Sequence, residues 1–152
     1  MKRFTILFLL MLMTVGCTLN PVNPLGLILN VGIFWVNGEG HKYYKCDQST
    51  LLDATRETVE ELGMYIEKEE SQKSYYYILA RAEKKTFKIK IRRMTNRVSR
   101  LSIRVNTFGD KPYAELFFEA VDNKRGINEF RTVNELETTL KRDGLRFRRI
   151  RE

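Results

Sequence analysis

The chain has 152 residues and a formal net charge of +8, with 43% apolar and 30% charged residues. That length supports one domain with a real core and hardly two. The balance of apolar and charged residues excludes a disordered chain, and two cysteines exclude a disulfide framework once one of them is committed elsewhere.

The N-terminal stretch MKRFTILFLLMLMTVGC has a secretory pattern. Lys2 and Arg3 precede the uncharged run 4–13, and Val15-Gly16 precede Cys17. A cationic start, an apolar middle of about 7–15 residues and a small-residue end mark a signal peptide. The run falls short of the roughly 20 residues a membrane-spanning helix needs. Cys17 directly after Gly16 is the expected lipidation site, with cleavage before it and residues 1–16 as the signal. Thr14 stands where such cleavage sites usually carry leucine, so a plain signal peptide or a short uncleaved anchor are the rival readings. Thr18 after the cysteine points to the outer membrane, facing the periplasm, if the host has two membranes.

Residues 17–37 are expected to be tether and apolar connector. Pro21 and Pro24 keep 18–24 extended, and 25–36 is apolar except for Asn30. That run reads as a buried strand. The alternative lays Leu27, Ile28, Phe34 and Trp35 into the membrane interface.

The folded domain is expected over 38–126. Asn37-Gly38-Glu39-Gly40 reads as a turn cluster, and 41–46 as the first strand. A helix follows over 50–62, with Thr50 and Asp53 as a capping box, a stripe of Leu52, Thr55, Val59 and Leu62, and Gly63 as its C-cap. Four alternating segments come next, 64–70, 74–82, 86–94 and 98–105. They put Ile66, Ile78, Phe87, Ile89, Ile91, Leu101 and Ile103 inward. Asp110 and Pro112 open a second helix whose stripe is Tyr113, Leu116, Phe117, Ala120 and Val121. Over 127–152, Thr132 and Glu135 make a capping box for a short helix to about Arg142, stopped at Gly144. Beyond it Arg146, Arg148, Arg149 and Arg151 form a basic extension. The expected class is α+β: an antiparallel sheet of four to five strands, two helices on one face, and a short C-terminal helix with that extension.

The order of these features resembles a family of small bacterial envelope lipoproteins whose domain has no known function. The resemblance rests on the signal and Cys17, the connector with Gly26 and Gly32, Trp35-Val36-Asn37-Gly38-Glu39, the helix ending at Leu62-Gly63, and Thr107-Phe108-Gly109-Asp110 before the second helix. It covers about 1–123. It implies fold and location and supplies no activity and no catalytic residues.

Signs of catalysis are weak. His41 is the only histidine, and no Cys-x-x-Cys, phosphate-binding glycine loop or nucleophile elbow occurs. No catalytic residue, metal or cofactor is expected. Cys46 reads as a small buried residue. The unusual feature is charge: residues 73–106 hold eleven Lys and Arg against Glu83 alone. Strand parity puts Tyr75, Tyr77, Arg81, Lys88, Lys90, Arg92, Arg100 and Arg104 on the solvent face. One reading is an ordinary wet sheet face, partly neutralised by Glu67 and Glu69. The other is a platform for anionic lipid, glycolipid, wall polymer or an acidic envelope protein, with no nucleic acid expected in an exported protein. The expected function is a non-enzymatic binding or structural lipoprotein. The alternative is a carrier holding an apolar ligand between helices and sheet.

Overall fold

The computed structural model describes residues 32–145. Cys17, the signal, the tether, Leu27 and Ile28, and the four arginines after residue 145 lie outside them. The described residues form an α+β fold with six antiparallel strands and three helices. The strands are β1 (Phe34–Val36), β2 (Glu39–Tyr44), β3 (Tyr65–Ser71), β4 (Tyr75–Ala82), β5 (Lys85–Arg93) and β6 (Ser99–Val105). Their order in the sheet is β1-β2-β6-β5-β4-β3. The helices are α1 (Gln48–Glu61), α2 (Lys111–Asp122) and α3 (Val133–Arg142).

The sheet gains strands at its N-terminal side. Asn37 and Gly38 both take positive φ, 50° and 75°, and close a two-residue hairpin between β1 and β2. An Asn-Gly pair with that geometry matches the twist of the flanking strands. The segment expected to be a turn thus shrinks to two residues, Glu39 and Gly40 join the ladder, and the strand expected to be first is second. The apolar connector ends as an edge strand. Trp35 packs against the core and Phe34 stacks on His41 with centroids 5.0 Å apart, so both aromatics are taken up by the domain.

One sheet face meets α1 and α2. Ile78, Phe87, Ile89, Ile91, Leu101, Ile103, Val105 and Tyr44 line it, and Leu51, Val59, Phe117, Phe118 and Val121 close over them. α1 begins two residues before its expected start. Asp47 is the N-cap, and its carboxylate accepts from the Ser49 and Thr50 hydroxyls, which holds it down to about 2. Thr50 is therefore a partner of the cap rather than the cap. Leu62, expected in the stripe, is exposed past the last turn.

α2 is rolled relative to expectation. Ala114, Phe117, Phe118 and Val121 are buried, whereas Tyr113 and Leu116 are exposed, Leu116 by 57%. The roll seats Phe118 beside Gly40, where an added Cβ would lie 3.0 Å from the Phe118 ring and 2.9 Å from Trp35. A buried lysine fixes the far end of α2. Lys42 is 5% exposed and donates to Asp122 at 2.5 Å, with Glu129 at 2.9 Å, while the Tyr44 hydroxyl donates to Asp122 at 2.8 Å. Burial raises the Asp122 carboxyl. Glu129 also feels burial, but hydrogen bonds with Lys42 and Asp122 hold it below its ordinary value.

Residues on both sides of 38–126 share in the packing. α3 buries Leu136 and Leu140 with Phe130 against Tyr43 and Val98, and Phe34 and Met94 join that cluster. Tyr43 lies opposite Arg100 in the ladder, so α3 covers one end of the face that α1 and α2 leave open. Its start has one half of the expected capping box, Thr132 accepting from the Glu135 amide, while the Glu135 carboxylate reaches past the cap and accepts from the Arg131 amide.

Candidate functional site: the open face of the sheet

Strand register alone brings the predicted basic residues together. Three cross-strand rows run over the open face. Nearest the β1–β2 turn lie Glu39, Arg104, Lys88 and Leu79. The middle row is His41, Ser102, Lys90 and Tyr77. The third is Tyr43, Arg100, Arg92 and Tyr75. Arg81 follows Leu79 on the same strand face, opposite Thr86. All eight residues proposed from parity therefore share one face of the sheet.

Their electrostatics are uneven. Arg81 pairs with Glu67 at 2.6 Å. Lys90 and Arg104 each lie 3.6 Å from one oxygen of Glu39, whose side chain is only 14% exposed. Among the described residues no acidic side chain pairs with Lys88, Arg92 or Arg100. Two of the cross-strand couples, Lys88 with Arg104 and Arg92 with Arg100, are like-charged. Directly opposed like charges destabilise a sheet. The Arg100 Nε is buried with no partner among the described residues, and an unpaired buried donor costs about 1–3 kcal/mol. Arg92 lies over the Tyr75 ring, 5.9 Å from its centroid.

Glu69, expected to neutralise this face, does not reach it. A bulge between Ile66 and Lys68 shifts the β3 register, so Glu69 stands opposite Ile78 on the helix side and accepts from Arg56 at 3.3 Å. A one-residue slip moves every later side chain to the other face. Lys68 and Glu70 turn to the open side instead and pair with each other at 2.6 Å.

Glu39, His41 and Leu79 belong to this face and were not assigned to it from sequence. The two-residue reach of an Asn-Gly turn was the signal that would have placed the first two. His41 Nδ1 lies 2.7 Å from Ser102 Oγ, and the ring stacks on Phe34. Burial pushes the imidazole below its ordinary value of 6.5. Arg100, Lys90 and Arg104 push the same way, against Glu39.

Past the third row, a groove of about 390 Å³ runs between α3 and the β5–β6 connection, with Lys45, Cys46, Arg97 and Glu135 among its walls. Burial pushes the Cys46 thiol up to about 12, far from the thiolate that a nucleophile requires. Among the described residues no three His, Cys, Asp or Glu side chains are grouped as metal ligands, and no helix is long and apolar enough to cross a membrane.

No curated protein matches the chain. Residues 2–124 match the family described as "Protein of unknown function (DUF3568)", a span that takes in the whole sheet, α1 and α2, and the chain belongs to that family.

Proposed function

We propose that the protein is a bacterial envelope lipoprotein, anchored through Cys17, whose open sheet face docks an anionic envelope component. That component is a lipid or glycolipid head group, a wall polymer or an acidic protein, and the module is not an enzyme. The observation that carries the reading is the set of cations on one open face, with like-charged cross-strand couples; among the described residues Glu39 and Glu67 pair with Lys90, Arg104 and Arg81, and Glu70 is taken up by Lys68. A sheet that keeps such couples forgoes stability, and local rules of this kind are broken mainly at functional sites. The location rests on the apolar run ending at Val15-Gly16-Cys17. The carrier reading draws no such support, because Phe87, Ile89, Ile103, Phe117 and Phe118 fill the layer between sheet and helices.

The test uses a lipid-free form of residues 18–152 with anionic and neutral vesicles at two salt concentrations. Each cation near an anionic membrane contributes on the order of 1 kcal/mol, and the attraction fades as the Debye length shortens to about 8 Å at physiological ionic strength. A folded variant with Lys88, Lys90 and Arg104 changed to Gln should lose anionic binding. Identical binding by variant and wild type removes this face from membrane recognition. Growth on labelled palmitate should label the wild type and not Cys17→Ser, and equal labelling of both ends the anchor assignment.

A further inference from the structure

We infer that the Arg92–Arg100 couple is a phosphoryl-binding site within the open face. The inference rests on the anion-docking reading above and names the chemistry of its most specific point. The two arginines stand directly opposite each other on neighbouring strands, and tyrosines close the row at both ends, Tyr43 beside Arg100 and Tyr75 beside Arg92. The register therefore sets two arginines opposite each other on the two middle strands, beside the β5–β6 connection, with no acidic side chain paired to either among the described residues. The couples on the other rows differ. Glu39 sits against Arg104 and Lys90, and Glu67 against Arg81.

A single oxyanion placed between the two forks would offset their mutual repulsion. Guanidinium presents planar paired donors that match the oxygens of a phosphoryl group, and it gives up its hydration more readily than an ammonium. Arg100 also carries a buried Nε with no hydrogen-bond partner among the described residues. Tyr75 holds Arg92 from the side through its ring face, which limits the freedom that binding must remove. Lys90 and His41 flank the row on the side toward the middle of the sheet. The ligand chemistry is a tetrahedral phosphate, carried either by a lipid head group or by a free phosphorylated compound.

The test uses the full chain in a non-ionic detergent at fixed ionic strength, with chloride as the balancing anion. In one arm inorganic phosphate is titrated calorimetrically, and in the other dihexanoyl phosphatidylglycerol. Saturable binding is expected in at least one arm. Arg92→Gln, at an exposed position, and Arg100→Lys, which keeps the charge and loses the fork, should each weaken it by at least about tenfold, the scale of one charge-assisted hydrogen bond. Arg125→Gln, exposed just past the end of α2 and outside the sheet, should change it by less than about threefold, as expected of a screened, non-contacting charge. Thermal melts confirm that each variant is folded. Binding of the lipid at least about tenfold tighter than phosphate assigns the site to a head group, and equal binding assigns it to a free phosphoryl compound. Absence of saturation in both arms overturns the site, as does binding that Arg92→Gln and Arg100→Lys leave intact. The two readings fail separately. Loss of vesicle attraction in the Lys88, Lys90, Arg104 variant with no phosphoryl site leaves the general face standing. Phosphoryl binding without vesicle attraction leaves the site and removes the membrane as its source.

Discussion

Gly38 and Gly109 lie backbone to backbone. A Cβ on Gly109 would come within 2.2 Å of the Gly38 carbonyl oxygen, and one on Gly38 within 2.3 Å of the Phe108 carbonyl oxygen. Both residues also take positive φ, 75° and 87°. The hairpin turn and the turn that starts α2 are thereby joined, and both segments are among those that carried the family resemblance. Gly109→Ala should cost about 2–3 kcal/mol in urea unfolding, through left-handed strain and crowding together. Phe108 between them is 91% exposed, so Phe108→Ser should stay within about 0.5 kcal/mol. Equal losses in the two variants would mean that the contact does not hold the turns. His41 supplies a second residue-scale expectation. Its folded pKa lies below the unfolded value of 6.5, so the unfolded state binds more protons as pH falls. The stability linked to this group is complete above pH 6.5 and is lost as pH falls through the folded pKa. His41→Gln keeps a polar partner for Ser102 and cannot titrate. Between pH 7.5 and 5, the wild-type urea midpoint should fall more than that of the variant; parallel curves would contradict the shift.

At the scale of elements, α2 shows what pattern can and cannot decide. Its sequence carries two overlapping stripes, Tyr113-Leu116-Phe117-Ala120-Val121 and Ala114-Phe117-Phe118-Val121, which share Phe117 and Val121. Helical periodicity accepts both. The choice falls to Gly40 and Trp35, far away in sequence, because only a glycine at position 40 leaves room for the Phe118 ring. Phe117→Ala should therefore cost about 3–5 kcal/mol. Leu116→Ala, expected from the first stripe to be a core truncation, should stay within about 0.5 kcal/mol. Chemical denaturation of the pair decides between the two rolls. The same division runs through the molecule. The α3 cap was legible because Thr132 and Glu135 are three residues apart, and the inward faces of β4, β5 and β6 were legible because alternation is local. The bulge after Ile66 was not, since nothing in residues 64–70 marks where an extra residue enters. Nor was Lys42, whose carboxylate partners stand about eighty residues on and reach it only through the packing of α2. For the basic face, parity supplied the cations, while Glu39 and the Arg92–Arg100 opposition needed the register.

At the scale of the whole molecule, the family match ends at residue 124 and α3 lies beyond it. The segment nevertheless completes the core on the open side. Phe130, Leu136 and Leu140 are buried there, Glu129 reaches Lys42, and Glu135 pairs with Lys45. If α3 is part of the cooperative unit, Leu136→Ala should lower the single unfolding transition by about 2–5 kcal/mol, the cost of truncating a buried leucine. If α3 frays on its own, the same variant should leave the main transition in place and change only the exchange of α3 amides. Coincidence of fluorescence and far-UV transitions in wild type and variant distinguishes the two cases. The cooperative outcome is expected, because Tyr43 is a shared residue: one neighbour in its row is Arg100 and its packing partners are those of α3. Loosening α3 should then uncover the Tyr43 side of the arginine couple and bare Val98, so that Leu136→Ala gains binding of an apolar dye while Leu116→Ala, on the opposite side of the sheet, does not.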